Sequence, residues 1–300
     1  MQQRQQAPCH PYRTAGQRTV YHAPAPQQQQ RRRRRKKKKR HPGRLLLGLV
    51  FCVGAGVFLA GGAWRGLVPK VPGHYTIALD AGHGGADMGA TGLISEVDLT
   101  ETTVRALEEM LGADTHYTPV LCRPYGEGMG INERAAAAKN ARADLLLSVH
   151  GNADETGTAS GFECYPLPPG RKNHEESLKF ARLLGQQMSA AGSTLRGEDG
   201  VRYAYYVQTA DGGYEKKILD PSANSEDAAD SSFGVLEGAG CPAVLAEQCF
   251  ITSEQDVAAF GTAQGCRVVA ARYYLAICDY FGTQPVYDGQ GNALAQNEQN

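Results

Sequence analysis

The chain has 300 residues, of which 42% are hydrophobic, enough for a sizeable core and for one or two domains. Its net charge of zero conceals an asymmetry: residues 1–44 carry 14 Lys or Arg and no acidic residue, while the remainder has 17 basic and 31 acidic residues, a balance of −14. An acidic remainder without a basic tract argues against nucleic-acid binding there, and leaves that function class only to the basic leader.

A leader and a membrane span are predicted before the main domain. Residues 1–44 end in a run of Arg and Lys and show no periodic apolar pattern, which is typical of a disordered segment. The uncharged run at 45–64 has about the 20 residues that a helix needs to cross a bilayer. Its basic flank predicts a cytoplasmic N-terminus and an extracellular main domain, so we expect a single-pass signal anchor in the cell membrane. Cleavage near Ala63, which would give a secreted form, stays open.

Six cysteines follow the predicted span. In an exported domain they permit up to three disulfides, and the sequence selects no pairing among them. The chain has no CxxC pair, which argues against a cysteine-rich zinc module. Most of the six lie in apolar runs, a pattern typical of small buried residues.

Strands and helices are predicted to alternate after a linker at 65–73. Apolar runs predict strands at 75–80, 117–122, 144–150, 161–166, 203–208 and 242–250. Helical patterns cover 97–111, 131–142, 175–191 and 263–281. We therefore expect an α/β fold, a single domain with a mostly parallel twisted sheet flanked by helices on both faces. Residues 209–232 are predicted to be a surface excursion, and 283–300 a disordered polar tail.

Polar residues end three of the predicted strands. Asp80 ends the first strand with His83 just beyond it, and His150 and Glu247 end two others. In sheets of this kind, ligand sites form outside the carboxyl ends of the strands. The three strand ends are therefore predicted to share one site.

The glycine-rich turn that contains His83 suits a phosphate or a metal. It lacks the GK[ST] and GxGxxG patterns, and Asp80 and Asp87 would repel a phosphate, which favours the metal. A different chemistry would use Cys249 as a nucleophile and His150 as its base. Cys249 is two residues past Glu247 and is predicted to point to the same side of the strand, but a structural role is the simpler interpretation.

His83, Glu96 and His150 form a His-Glu-His set, and Glu96 lies at the start of the helix after the turn. Catalytic zinc sites use three such ligands and keep one position open for water. A zinc hydrolase also needs a base, and Glu247 is the candidate, because an acid at the end of a buried strand is otherwise unexplained. The alternative for Glu247 is a salt bridge with Arg123 or Arg134.

These residues belong to a longer series of motifs, which occur in this order: DAGHGGADMGATG at 80–92, Glu96, Arg123, ER-A at 133–135, AD with SxHxNA at 143–153, GFECY at 161–165, Arg196-Gly197, and P-VL-E with F-T at 242–252. The series resembles the zinc-dependent N-acetylmuramoyl-L-alanine amidases, bacterial cell-wall hydrolases of the amidase type 3 class. The resemblance covers 75–281, and it implies a zinc amidase catalytic domain at 74–282.

The resemblance implies one Zn²⁺ held by His83, Glu96 and His150, with Glu247 as the catalytic base. It implies peptidoglycan as the substrate, cut at the amide between N-acetylmuramic acid and L-alanine. The excursion at 209–232 matches nothing in the family, and a substrate loop, a partner site and a flap over the zinc stay open for it. The other function class is an inactive wall-binding or regulatory module of the same fold, and a need for an activator protein also stays open.

Overall fold

The computed structural model describes residues 70–223 and 231–295. The predicted basic leader and the predicted membrane span at 45–64 lie outside the described residues, as does most of the linker. Within the described ranges, no helix combines the length and the apolar character that crossing a membrane requires.

The described ranges contain seven strands and six α-helices. The strands are β1 (Tyr75–Ala81), β2 (Tyr117–Leu121), β3 (Leu145–Asn152), β4 (Glu163–Pro166), β5 (Tyr203–Gln208), β6 (Tyr214–Leu219) and β7 (Ala243–Phe250). The helices are α1 (Glu96–Ala113), α2 (Ile131–Asn140), α3 (His174–Ala190), α4 (Gly234–Ala239), α5 (Glu254–Asp256) and α6 (Ala263–Phe281). Each predicted strand and helix is present within a few residues of its predicted bounds.

A five-stranded sheet forms the centre, in the order β2-β1-β3-β7-β4. The β1–β2, β1–β3 and β3–β7 pairs are parallel, and only β4 runs antiparallel, against β7. The expectation of a mixed α/β domain with a mostly parallel sheet is therefore confirmed. Parallel order also brings the carboxyl ends of β1, β3 and β7 to one edge, where the site lies.

The sheet separates two hydrophobic clusters. Leu145 and Leu147 of β3 belong to the larger cluster, which includes side chains of α1, α3 and α6. Leu146, between them, belongs to the second cluster with side chains of α2 and α4. Because successive side chains of a strand point to opposite faces, burial of both faces explains the continuous apolar runs of the sequence.

Two segments differ from the sequence-based expectation. The excursion predicted at 209–232 contains β6, which pairs antiparallel with β5 through the turn at 209–213. Residues 283–295 of the polar tail that was predicted to be disordered have a defined structure, with a bridge between Tyr287 and Ala293, so the expectation is wrong for these residues. The Val286 backbone N–H donates to the Tyr274 hydroxyl at 2.8 Å, and the Tyr287 ring packs on the Tyr274 ring. These two residues anchor a mostly polar segment to α6.

The six cysteines of the domain are buried and form no disulfide bond within the described ranges. Burial raises the pKa values of five of their thiols, including Cys122 and Cys164. The interpretation of these cysteines as small buried residues fits the structure, and a disulfide framework does not.

Candidate metal centre and active site

His83, Glu96 and His150 converge at the carboxyl edge of the sheet. His83 lies in the turn after β1, Glu96 begins α1, and His150 lies near the end of β3. The Nε2 atom of His83 and the Nδ1 atom of His150 are each 3.0 Å from Oε1 of Glu96. One ligand atom from each residue lies within 4.8 Å of the other two, so the three side chains could hold one metal ion.

Glycines make this convergence possible. A Cβ atom on Gly82 would lie 2.5 Å from the His150 ring, and one on Gly89 would lie 2.5 Å from Oε2 of Glu96. Gly89 also has a φ of +66°, and His83 itself has a φ of +62°, a conformation that is uncommon for a residue other than glycine. Any side chain larger than that of glycine at position 82 or 89 would therefore collide with His150 or Glu96.

Neighbouring groups orient the proposed ligands. Oδ2 of Asp87 lies 3.0 Å from Nδ1 of His83, which leaves Nε2 of the ring to face Glu96. The Ala90 backbone N–H donates to Oε2 of Glu96 at 2.8 Å, and the Gly151 N–H donates to Oε1 at 3.2 Å. Partners of this kind typically fix the orientation of metal ligands, here Asp87 for His83 and the two N–H groups for Glu96. The sequence reasoning did not assign Asp87 this role.

The negative charge of Glu96 attracts positive charge to the centre, which in the metal-free protein is a proton on His83. The hydrogen bond to Glu96, opposed by burial, raises the pKa of His83 to about 9. Burial raises the pKa of Glu96, but hydrogen bonds from His150 and His83 outweigh it and hold that pKa well below its usual range. A metal ion would displace that proton, and two neutral imidazoles with an ionised carboxylate are a donor set that fits catalytic zinc.

Glu247 lies beside this centre. It is the direct partner of His150 in the parallel β3–β7 register. Burial, opposed by the charge of His150, raises the pKa of Glu247 to about 7. Its Oε2 atom is buried, and no hydrogen-bond partner for it exists among the described residues. A partly buried carboxyl with a pKa near neutrality is suited to take up and release a proton.

The salt-bridge alternative for Glu247 is wrong. Nη1 of Arg123 lies 2.7 Å from Oε1 of Glu101, and Nη1 of Arg134 lies 3.1 Å from Oδ1 of Asp80. Asp80 thus supports the turn through Arg134, which also donates to the backbone oxygens of Ala81 and His83. Both arginines also donate to backbone oxygens of the turn that follows β1. Neither is therefore available to pair with Glu247.

A buried carboxylate, Glu163, is the antiparallel cross-strand partner of the partly buried Glu247. The sequence reasoning did not assign Glu163 to the site, although a charged residue within the mostly apolar run of β4 could have indicated it. Unlike Glu247, Glu163 is fully hydrogen-bonded. Its four donors are Asn152 (2.7 Å), Tyr165 (2.7 Å), Arg196 (2.9 Å) and Arg202 (3.2 Å).

Cys249 does not face Glu247. It belongs to the larger hydrophobic cluster, on the other face of the sheet from Leu245 and Glu247, because the β3–β7 register shifts after His150. Burial raises the pKa of its thiol far above neutrality, so a thiolate is disfavoured. The prediction of its direction was wrong, and the structure gives no support to a cysteine nucleophile.

Residues 77–279 match the family described as N-acetylmuramoyl-L-alanine amidase, Amidase_3. The chain belongs to this family. The resemblance drawn from the motifs is thereby confirmed for more than half of the chain.

Individual amidases agree in sequence and fold. "Probable N-acetylmuramoyl-L-alanine amidase AmiB" of Haemophilus influenzae is 25% identical over 244 residues, which are 74% of this chain and 54% of that protein. The chain thus spans about half of that relative's length. A "Putative N-acetylmuramoyl-L-alanine amidase" of Buchnera aphidicola is 23% identical over 69% of this chain and 94% of its own. A solved amidase of Clostridium difficile 630 has the same fold, with a TM-score of 0.56, 22% identity, and coverage of 71% and 99%.

Proposed function

We propose that this amidase is a zinc hydrolase that cuts the amide between the lactyl group of N-acetylmuramic acid and L-alanine in peptidoglycan. His83, Glu96 and His150 would hold the zinc, and Glu247 would be the base. The observation that carries the proposal is the position of Glu247: a partly buried carboxyl lies beside the His-Glu-His set, and its buried Oε2 has no partner among the described residues. A module that only binds peptidoglycan has no need of such a base.

Zinc at this centre would supply a Lewis acid that polarises the amide carbonyl and makes water more acidic. Glu247 would accept a proton from the attacking water and then deliver it to the nitrogen of the L-alanine leaving group. Its pKa of about 7 suits both steps, since the ionised form takes the proton and the neutral form gives it. His83 is held in orientation by Asp87, and Glu96 by two backbone N–H groups, so the centre is organised before substrate arrives.

The test uses the full chain and muropeptides. We expect mass spectrometry to detect stem peptides released from the glycan, a chelator to stop the release, and zinc to restore it. The Glu247→Gln variant should keep one zinc per chain and lose at least about 100-fold in kcat, the scale of general base catalysis. Glu254→Gln, at an exposed position, is the matched control.

Three results would contradict the proposal. A parent protein that binds peptidoglycan without releasing peptide would identify the chain as a wall-binding module. A purified chain that binds no zinc would remove the metal assignment. A Glu247→Gln variant with the parent rate would remove Glu247 as the base.

We also propose that the run at 45–64 anchors the amidase in the cell membrane with the catalytic domain outside. The supporting observations are the length of the run and the basic residues that precede it. The full chain should resist extraction from membranes by alkaline carbonate, and added protease should degrade the domain in cells whose membrane is intact. Recovery of the domain from the medium, with an N-terminus close to residue 64, would instead show cleavage.

A further inference from the structure

The hairpin of β5 and β6 presents one lysine toward the active site. Tyr206 and Lys216 are cross-strand partners and therefore project from the same face of the hairpin. Both contact Phe233, the residue before α4: the Tyr206 ring meets it edge-on, and the Lys216 ammonium lies 4.8 Å from its centroid. The hairpin is thus held to the domain through this face.

The same ammonium lies on the Glu247 side of the site. It is 5.6 Å from the centroid of the Tyr165 ring in β4. The Tyr165 hydroxyl donates to Glu163, and Glu163 is the cross-strand partner of Glu247. The positive charge of Lys216 also lowers the pKa of Glu247, against the larger effect of burial. Lys216 is therefore close enough for its charge to be felt at the proposed base.

Lys216 forms no ion pair within the part of the chain that the structure describes. The nearby carboxylate Glu163 is already paired with Arg196 and Arg202, and Arg202 also contacts Asp220. Aromatic faces hold the ammonium by cation–π attraction, which positions a cation without cancelling its charge. An exposed cation held in this way beside a catalytic site can attract an anionic group of the substrate.

The proposed reaction identifies which part of the substrate meets Lys216. Glu247 must approach the nitrogen of the L-alanine leaving group, so the departing peptide and not the glycan lies on the Glu247 side. A carboxylate on the next peptide residue lies about 7 Å from that nitrogen, since each residue spans about 3.5 Å. We propose that Lys216 binds this carboxylate and gives the amidase a preference for acidic stem peptides, an inference that rests on the proposed amidase function.

The test compares two substrates that differ in one charge. Muramoyl-L-alanyl dipeptides are prepared with either a free carboxylate or a carboxamide on the residue after L-alanine. We expect the parent to prefer the carboxylate about three- to fivefold in kcat/KM, mainly through KM, the size of an exposed ion pair. Lys216→Gln should abolish the preference, and Lys216→Arg should keep it. Lys217→Gln, on the opposite face of β6, should behave like the parent.

The outcomes separate this inference from the proposed function. Turnover of both substrates with equal kcat/KM by the parent would overturn the inference alone. So would a Lys216→Gln variant that keeps the preference, or one that slows both substrates equally. No turnover of either substrate by the zinc-loaded parent would overturn the proposed function and this inference with it.

Discussion

Glu163 and Glu247 lie directly opposite each other on β4 and β7, and of the two only Glu163 is paired with arginines. Two arginines, an amide and a phenol surround Glu163, whereas Oε2 of Glu247 has no partner among the described residues. The charge of Glu163 adds to the effect of burial and helps to raise the pKa of Glu247. Two carboxyl groups in such different environments can serve different roles at one pH.

The Glu247→Gln substitution should stabilise the metal-free protein at high pH. Burial raises the pKa of Glu247 from 4.5 to about 7, so the folded protein binds more protons than the unfolded chain between these values. The free energy of unfolding of the parent therefore falls as the pH rises from 4.5 to 7. The variant has no carboxyl at this position, so its free energy of unfolding does not show this decrease. We expect the stability of the variant relative to the parent to be about 3 kcal/mol greater at pH 8 than at pH 4.

Urea unfolding of the chelated proteins at several pH values would measure this difference. Glu254→Gln, with an exposed carboxyl, should follow the parent at each pH. A constant difference between Glu247→Gln and the parent would show that the Glu247 carboxyl is not destabilised by burial.

The Glu163→Gln substitution should extend activity to lower pH and weaken the fold. Removing the negative charge opposite Glu247 lowers the pKa of the base, and it leaves Arg196 and Arg202 without their carboxylate. The acid limb of kcat/KM should therefore move to lower pH, and unfolding should cost about 3 kcal/mol less, as for other broken buried ion pairs. An acid limb that stays in place, or moves to higher pH, would contradict the electrostatic coupling between the two carboxyls.

The sequence predicted the elements that have a clear hydrophobic period, and it missed contacts made by polar segments. Polar residues at the ends of β1, β3 and β7 were recognised because the carboxyl ends of parallel strands meet at one edge. Asp87 and Glu163 were not assigned, because an orienting or neutralising carboxylate is defined by which side chain lies opposite it. β6 has a polar, exposed pattern without an apolar alternation, so its pairing with β5 was not predicted.

The Asp87→Asn substitution should weaken zinc binding. Oδ2 of Asp87 lies 3.0 Å from Nδ1 of His83, and a neutral amide there holds the ring less firmly and makes it a poorer donor. We expect a loss of about 10- to 100-fold in zinc affinity, measured by competition with a chelating dye. Asp98→Asn, at an exposed position of the first turn of α1, should leave the affinity unchanged. Equal affinities of Asp87→Asn and the parent would show that Asp87 does not orient the ligand.

The Gly89→Ala substitution should disrupt the metal centre itself. Both Gly89 and Gly212 have a positive φ, +66° and +81°, so alanine at either costs about 1 kcal/mol in backbone strain. Only at Gly89 would the new Cβ lie 2.5 Å from Oε2 of Glu96 and 2.7 Å from the His83 ring, whereas nothing lies within 4 Å at Gly212. Gly89→Ala should therefore lose zinc and activity, while Gly212→Ala should lose only a little stability. A zinc-replete, active Gly89→Ala protein would mean that the turn can move away from the ligands at low cost.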